Sequence, residues 1–243
     1  MSDDSISKAK QAIRLRTWDL LERSGAAEPG VRGHIPAFAG AGVAASLLVT
    51  LPEWEAAQVI KAVPDQAQQP VREQALRDGK LLYMAVPKLA ENPPFYELDP
   101  ASLAAPAAEA ASPDGARKIA RRVGPGQMRP VDLVVCGSVA VNRAGTRLGK
   151  GAGYSDLEVA LLAEAGLIGP ATVIVTTVHP LQVLSEPIPE AGHDFSVDLI
   201  VTTRDVIRCG PPRRPAGLDW DLLPASMIAA IPVLAARQEH SGR

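Results

Sequence analysis

Long apolar runs separated by segments with helical spacing predict buried strands that alternate with helices. The clearest runs cover residues 131–136, 171–178 and 197–203, and they are rich in valine and isoleucine. Two shorter runs, at residues 58–63 and 80–86, precede them. Continuous apolar runs of this length are typical of parallel strands that are buried on both faces of a sheet.

Helices are predicted where apolar residues recur every three or four positions. The first predicted helix covers residues 5–24, with Ser5 or Ser7 as its cap and Gly25 as its stop. The other predicted helices cover residues 41–51, 66–77, 156–165 and 221–237. Pro224 and Pro232 are expected to interrupt the last of them, because proline removes a backbone donor and clashes with the preceding turn.

The order of these elements predicts the fold class. The strand at 131–136, a glycine-rich loop, the helix at 156–165 and the strand at 171–178 form a βαβ unit with a right-handed crossover. We therefore predict an α/β fold, a three-layer αβα structure with a mostly parallel central sheet. The chain length of 243 residues suits one domain over residues 1–243.

A proline- and alanine-rich stretch at about residues 91–116 changes the pattern and predicts a surface excursion, with a short helix at 100–111. A basic run follows, in which Arg117, Lys118, Arg121 and Arg122 lie within six residues. This run is either part of an anion site or a solvated helix face, and the sequence leaves both interpretations open.

Composition narrows the expected partners. The chain is 47% hydrophobic but only 4% aromatic, so its core must be built from Ala, Val, Leu and Ile. The net charge of −2 gives no sign of a nucleic-acid or anionic-membrane partner. No apolar run approaches the roughly 20 residues that cross a bilayer, and the polar N-terminus lacks a signal-peptide pattern. We expect a cytoplasmic monomer or homodimer that acts on a small molecule.

Metal-motif spacing is absent among the two cysteines and four histidines, and Cys136 lies in an apolar run that predicts a buried thiol. The candidate chemistry lies instead in residues 147–156, RLGKGAGYSD, where three glycines alternate beside two cations and before a carboxylate. Glycine lets the backbone come close to a ligand, and exposed N–H groups beside cations suit a phosphate.

This loop matches neither G-x-x-x-x-G-K-[ST] nor G-x-G-x-x-G, so it is either a phosphate-binding loop or a flexible connector. Its place after a strand of an α/β sheet favours the phosphate interpretation. Asp156 is the candidate ligand for a Mg²⁺ that bridges phosphate oxygens.

Other candidates have two interpretations each. Lys10 and Arg14 share a helix face, where they either reach phosphate oxygens or form a solvated basic face. His193-Asp194 and His179 lie in predicted loops, where they either orient a substrate or are held structurally by their neighbours.

The loop and its partners resemble the 5-formyltetrahydrofolate cyclo-ligase family. Residues 147–156 are similar to its R-L-G-x-G-x-G-Y-Y-D signature, Lys10-Gln11-Ala12-Ile13-Arg14 to its K-x-x-L-R, and 131–137 to its D-L-V-L-V-P-G strand. The pair His193-Asp194 is similar to its H-D. The resemblance implies an ATP- and Mg²⁺-dependent ligase that converts 5-formyltetrahydrofolate into 5,10-methenyltetrahydrofolate, ADP and phosphate.

The resemblance also implies roles for particular residues. It gives catalytic roles to Arg147, Lys150 and Tyr154, and it makes Asp156 the Mg²⁺ ligand. The implied ATP-binding residues are Lys10, Arg14, Gly149, Lys150, Gly151, Ala152, Gly153 and Tyr154. Within this set the resemblance implies that the cations face the phosphates of ATP. It also implies that the loop backbone surrounds these phosphates and that the Tyr154 ring forms one side of the site.

The sequence departs from the family pattern mainly in segments that, in the family, belong to the folate-binding side of the site. Ser155 replaces a tyrosine, Val63-Pro64-Asp65-Gln66 stands where the family has a glutamate before D-T, and no G-I-x-E-P segment is present between 115 and 130. Residues 34–41 and the sequence GKGAGYSDLE at 149–158 resemble a paralogous branch that includes the methenyltetrahydrofolate synthase domain-containing proteins. Three outcomes follow: the cyclo-ligase reaction, action on another amide or formamide such as a thiamine-related pyrimidine, or nucleotide binding without turnover.

Overall fold

The computed structural model of the protein describes residues 3–241 of the chain. The helices are α1 (Asp3–Arg23), α2 (Ala41–Leu48), α3 (Pro52–Ala56), α4 (Gln69–Arg77), α5 (Ala107–Ala110), α6 (Pro113–Ile119), α7 (Tyr154–Glu164), α8 (Ala225–Ala230) and α9 (Pro232–Ser241). The strands are β1 (Val59–Ala62), β2 (Leu81–Ala85), β3 (Phe95–Leu98), β4 (Arg121–Val123), β5 (Leu133–Cys136), β6 (Ala140–Asn142), β7 (Arg147–Leu148), β8 (Val173–Thr177), β9 (Val183–Leu184), β10 (Leu199–Val201) and β11 (Val206–Arg208).

The central sheet has eight strands in the order β11-β10-β8-β5-β1-β2-β3-β4. The five strands from β10 to β2 are parallel to one another, whereas β11, β3 and β4 add antiparallel edges. The unit β5–α7–β8 is present as predicted, with its two strands paired in parallel. The prediction of a mostly parallel sheet is therefore confirmed.

Side chains alternate between two helical layers, because successive residues of a strand point to opposite faces of the sheet. Ile60 and Ala62 of β1 face the core shared with α2 and α4. Val59 and Val63 face the opposite core, which α7, α8 and α9 cover. This arrangement confirms the three-layer αβα architecture.

A small second sheet, which the sequence analysis did not predict, has the strand order β7-β6-β9. Helix α1 packs on it, since Ile13 shares a buried cluster with Ala140 and Leu148. The sheet carries the start of the glycine loop: Arg147 pairs with Val141 across the antiparallel β6–β7 ladder. The loop thus follows a strand of the small sheet and not β5 directly.

The interpretation of about 91–116 as a surface excursion is wrong in part. Its proline residues obscured strand β3, whose Phe95 and Tyr96 are fully or almost fully buried between β2 and β4. The short helix predicted at 100–111 is a single 3₁₀ turn at Pro100–Ser102 followed by α5. The basic run is on the surface, where Arg122 pairs with the half-exposed Glu91, in agreement with the solvated interpretation.

The helices begin and end at different residues from those predicted, and proline explains part of the difference. The predicted helix at 41–51 ends at Leu48, and α3 begins at Pro52, since proline suits the first turn of a helix. The prediction that Ser5 or Ser7 caps the first helix is wrong, because both residues lie inside α1. The tail is interrupted as expected, with α8 following Pro224 and α9 beginning at Pro232.

Cys136 is buried as predicted, and burial raises the pKa of its thiol.

Over residues 3–241 no helix is long and apolar enough to cross a membrane. The interpretation of residues 1–243 as one domain stays a prediction, and positions 1, 2, 242 and 243 lie outside the described part of the chain.

A buried ion pair joins the central strand β1 to helix α7. Lys61 and Glu158 are 1% and 4% exposed, and the Lys61 ammonium donates to the Glu158 carboxylate. Removing two charges from water is expensive, and the pair persists only because each charge compensates the other. The pair therefore fixes α7, and the glycine loop before it, against the middle of the sheet.

We predict that Lys61→Met destabilises the protein by about 3–5 kcal/mol, because it leaves the Glu158 carboxylate buried without its partner. The matched control is the double variant Lys61→Met/Glu158→Leu, which removes both charges and should recover most of the loss. Urea unfolding at neutral pH measures both free energies. Equal losses in the single and double variants would contradict this account.

Candidate functional site

The main cleft, with a volume of ≈ 910 Å³, opens at the carboxyl ends of the parallel strands. This is the edge where open α/β sheets bind ligands. It lies between helix α1 and the glycine loop, and the turns that follow β1 and β2 extend it. Its walls also include residues 34–35, Pro113, residues 191–194 and Leu222.

The glycines of the loop are required by close contacts and by backbone conformation. A Cβ on Gly149 would lie 2.7 Å from Arg147 Nη2. Gly151 and Gly153 have φ of +97° and +73°, values that L side chains rarely adopt, and a Cβ on Gly151 would touch the Arg14 guanidinium at 3.4 Å. The loop is therefore a shaped surface against two arginines.

Gly153 is the N-cap of α7, and its left-handed conformation turns the chain into the helix. The first N–H groups of a helix have no intrahelical acceptor, and they carry the positive end of the helix dipole. Residues 151–156 line the cleft, so this helix end faces into it. Backbone donors at a helix N-terminus are a ready-made environment for an anion.

Lys10 and Arg14 lie on the cleft side of α1, as their four-residue spacing predicts. Lys10 is buried and forms an ion pair with Asp194, whereas Arg14 Nε donates to the Gly149 carbonyl at 2.8 Å. Burial lowers the pKa of Arg14 more than the nearby carboxylates raise it. The interpretation of these two residues as a solvated basic face is therefore wrong.

Arg147 is 4% exposed and forms the floor of the cleft below the loop. Its Nη1 lies 3.3 Å from Asp156 Oδ1, and its Nη2 donates to the Gly137 carbonyl at 3.1 Å. The guanidinium carbon also lies 4.6 Å from the centre of the Phe195 ring. Its buried Nε has no hydrogen-bond partner among the described residues.

Asp156 and Asp194 are the two carboxylates nearest to the loop cations. Burial raises the pKa of Asp156, Arg147 lowers it, and the neighbouring Asp194 charge raises it further. Asp194 also accepts from the Ala191 N–H at 2.6 Å and lies 3.8 Å from His193 Nε2. His193 itself lines the cleft with an exposed side chain.

Within residues 3–241 no group of three or more His, Cys, Asp or Glu side chains is arranged to hold a metal ion. A phosphate-bound Mg²⁺ takes one or two carboxylates and completes its shell with phosphate oxygens and water. Asp156 and Asp194 provide that donor type beside the loop, so the residues present fit a magnesium ion carried in on a phosphate chain.

His179 lies outside the cleft lining, and its role is structural. Its Nδ1 accepts from the Leu181 N–H at 3.2 Å, and its ring lies edge-on to Phe38. The structural interpretation of this histidine is therefore the one that the contacts support.

Three site residues escaped the sequence analysis as functional candidates. Asp65, at the end of β1, lies 3.6 Å from Lys150 Nζ and so connects two sides of the cleft. Glu158 reaches the floor from the second turn of α7, and Lys88 lines the cleft after β2. In the sequence, only position could have identified these three residues as site candidates. Asp65 and Lys88 follow parallel strands, and Glu158 lies one turn into the helix that follows the glycine loop.

Fold and site together define a three-layer αβα protein with a cationic, glycine-lined cleft at the carboxyl edge of its sheet. A family model described as the 5-formyltetrahydrofolate cyclo-ligase family matches residues 6–203. The chain belongs to this family.

Relatives and solved structures agree with this assignment. The chain is 38% identical to the methenyltetrahydrofolate synthase domain-containing protein of Mus musculus over 96% of its length, and 34% identical to the Homo sapiens protein over 100%. It spans 64% and 66% of those two relatives. Its fold is similar to the NMR structure of Aquifex aeolicus 5,10-methenyltetrahydrofolate synthetase, with a TM-score of 0.52, 21% identity, and coverage of 88% of this chain and 96% of that one.

We predict that Gly149→Ala weakens the binding of inorganic tripolyphosphate about tenfold or more, because its Cβ would displace the Arg147 guanidinium and its charge-assisted hydrogen bond. The control is Gly169→Ala, where an added Cβ meets no atom within 4 Å. Isothermal titration measures the affinity, and thermal unfolding checks that both variants are folded. Equal affinities would show that the loop does not contact phosphate.

Proposed function

We propose that this protein is an ATP- and Mg²⁺-dependent cyclo-ligase that converts 5-formyltetrahydrofolate into 5,10-methenyltetrahydrofolate with release of ADP and phosphate. The supporting observation is the convergence of four cations, Lys10, Arg14, Arg147 and Lys150, on one glycine loop at the start of α7. Family membership supports the same assignment. We expect the protein to act on a small molecule, as a monomer or homodimer in the cytoplasm, without a nucleic-acid partner.

Each element of the loop has a role in holding the nucleotide. The backbone of Gly149, Gly151, Ala152 and Gly153 and the first turn of α7 would donate to phosphate oxygens. Arg14 is the cation best placed to add a charge-assisted contact, since its guanidinium already borders Gly149 and has no carboxylate partner of its own.

Asp156 and Asp194 would hold the magnesium ion, whose charge would offset the burial that mainly raises the pKa of Asp156 and the smaller effect of the Asp194 charge. Arg147 and Lys10 already form ion pairs with these carboxylates, so they would hold both groups in place beside the loop. The protein contributes mainly position and charge neutralisation, as is usual in phosphoryl transfer.

Bound MgATP would supply the γ-phosphoryl group that turns the formyl oxygen of the substrate into a leaving group. Arg147 and Lys150 would stabilise the negative charge that moves during this transfer. Tyr154, half-buried at the start of α7, would shield the reacting groups of the substrate and the nucleotide from water. Ile35, Val63 and Pro64 offer an apolar surface on which a planar ring can lie.

A second candidate substrate, another amide or formamide, is favoured by one contact. The carboxylate after β1, Asp65, lies 3.6 Å from Lys150 Nζ, and Gln66 beside it is exposed and outside the cleft lining. The donor edge of a pterin pairs best with a free carboxylate, and this wall holds its carboxylate against a lysine. A formamide with a smaller ring, such as a thiamine-related pyrimidine, does not need that partner.

We predict that the purified protein, given MgATP and 5-formyltetrahydrofolate, forms 5,10-methenyltetrahydrofolate and ADP in equal amounts. The appearance of methenyltetrahydrofolate absorbance, with a coupled measurement of ADP, provides the test. Nucleotide binding without product would overturn the cyclo-ligase assignment, and ADP release with a formamide in place of the folate would support the second candidate. Binding of MgATP with no turnover of either compound would leave a nucleotide-binding protein.

We predict that Asp156→Asn changes the pH dependence of stability and weakens MgATP binding. The folded-state pKa of Asp156 is raised by burial, so its ionised form costs folding free energy. This cost is absent below the unfolded pKa, about pH 4, grows as the pH rises from the unfolded to the folded pKa, and is constant above the folded pKa. The variant lacks this cost but leaves the Arg147 guanidinium without its carboxylate partner, so its stability relative to the wild type should rise as the pH rises from about 4 toward neutrality.

The same Asp156→Asn variant should bind MgATP more weakly, and Lys150→Ala should do so without the change in the pH dependence of stability. Urea unfolding from about pH 3 to 7 and nucleotide titration with and without Mg²⁺ measure these effects. Unchanged MgATP affinity in both variants would mean that the loop is only a connector.

A further inference from the structure

The charges that line the cleft do not balance. Three of its cations lie beside a carboxylate: Lys10 beside Asp194, Arg147 beside Asp156 and Lys150 beside Asp65. The cleft has one further carboxylate, Glu158, and its charge is balanced by Lys61, which lies outside the cleft lining. Two cleft cations remain without an ion pair in the described chain, Arg14 and Lys88.

Arg14 lies against the glycine loop and belongs to the proposed phosphate site. Lys88 lies elsewhere, in the turn after β2, whereas the loop and Arg147 lie beside the end of β5. Strand β1 separates β5 from β2. Neighbouring strands are about 4.8 Å apart, so Lys88 stands roughly 10 Å along the sheet edge from the end of β5.

The backbone at Lys88 is held in an unusual conformation. Lys88 and Leu89 have φ of 59° and 50°, so two successive residues with side chains adopt the left-handed region. Leu89 is fully buried in the core, while Lys88 is exposed toward the cleft. Such strain costs of order 1–3 kcal/mol per residue and is kept where the surroundings over-determine it, often at ligand sites.

The wall between the two unpaired cations is largely apolar. Pro64 and Pro87 follow β1 and β2, Asp65 beside Pro64 is paired with Lys150, and Pro113 also lines the cleft. The cleft therefore has a cationic end at the loop, an apolar middle and a second cation at its far end. This order suits an elongated ligand with a reacting group at one end and a negative charge at the other.

We infer that Lys88 forms an anion subsite, which binds a carboxylate of the substrate at the end remote from the group that receives phosphate. The inference rests on the proposed function for the identity of the substrate. In 5-formyltetrahydrofolate the p-aminobenzoylglutamate portion is that remote end, and its carboxylates would reach Lys88 while the ring lies on the apolar wall.

The test uses the full chain and the isolated fragment p-aminobenzoylglutamate, followed by NMR titration. Lys88→Gln should weaken fragment binding roughly fivefold, the upper range for one exposed charge pair, and the wild-type affinity should fall with added salt. Lys88→Arg should keep the affinity, because it keeps the charge. Lys118→Gln, an exposed lysine outside the cleft lining, is the matched control and should bind like the wild type.

Uncharged p-aminobenzamide should bind the wild type and Lys88→Gln equally, and MgATP affinity should be unchanged in Lys88→Gln, which shows that the cleft is intact. The subsite is overturned if the wild type does not bind the fragment, or if Lys88→Gln binds it as well as the wild type does. The proposed function fails separately: absence of methenyltetrahydrofolate formation with fragment binding intact refutes the reaction and supports the subsite.

Discussion

The structure of the cleft depends on one constraint: a charge removed from water must find a partner. Three pairs meet this constraint around the start of α7, namely Lys61–Glu158, Arg147–Asp156 and Lys10–Asp194. The first two pairs join α7 to the central strand and to the small sheet, and the third joins α1 to the 191–194 loop. Because breaking a buried pair is costly, these contacts hold the glycine loop in one position before any ligand arrives.

The fold could be predicted where the sequence carries a strong local signal. Strand β5, helix α7 and strand β8 were predicted because valine-rich runs and a glycine stop are local features. Strand β3 was missed because prolines on both sides indicate a loop, although Phe95 and Tyr96 are buried by pairing with distant strands. The small sheet was missed because β7 and β9 are two residues each, too short for a period to appear.

The site, like the fold, could be predicted where its residues carry a local sequence feature and not where they are brought together only by the fold. Glycine spacing and the four-residue separation of Lys10 and Arg14 are visible in the sequence, and both features line the cleft. Asp65 and Lys88 carry no local signal, because only the strand order places the turns after β1 and β2 next to the loop. The partner of Lys10, 184 residues away, is likewise a product of topology.

The two ends of the cleft are built differently, and this bears on how the family can change substrates. The phosphate end is fixed by buried ion pairs and by glycines whose replacement would strain the backbone or displace an arginine, so its chemistry is tied to the stability of the fold. The far end consists of turns after β1 and β2 whose Asp65 and Lys88 side chains are partly or fully exposed. Substitutions there disturb no core contact of those side chains. A chain can therefore keep its phosphate chemistry while residues 64–66 and 87–88 adapt to a different acceptor.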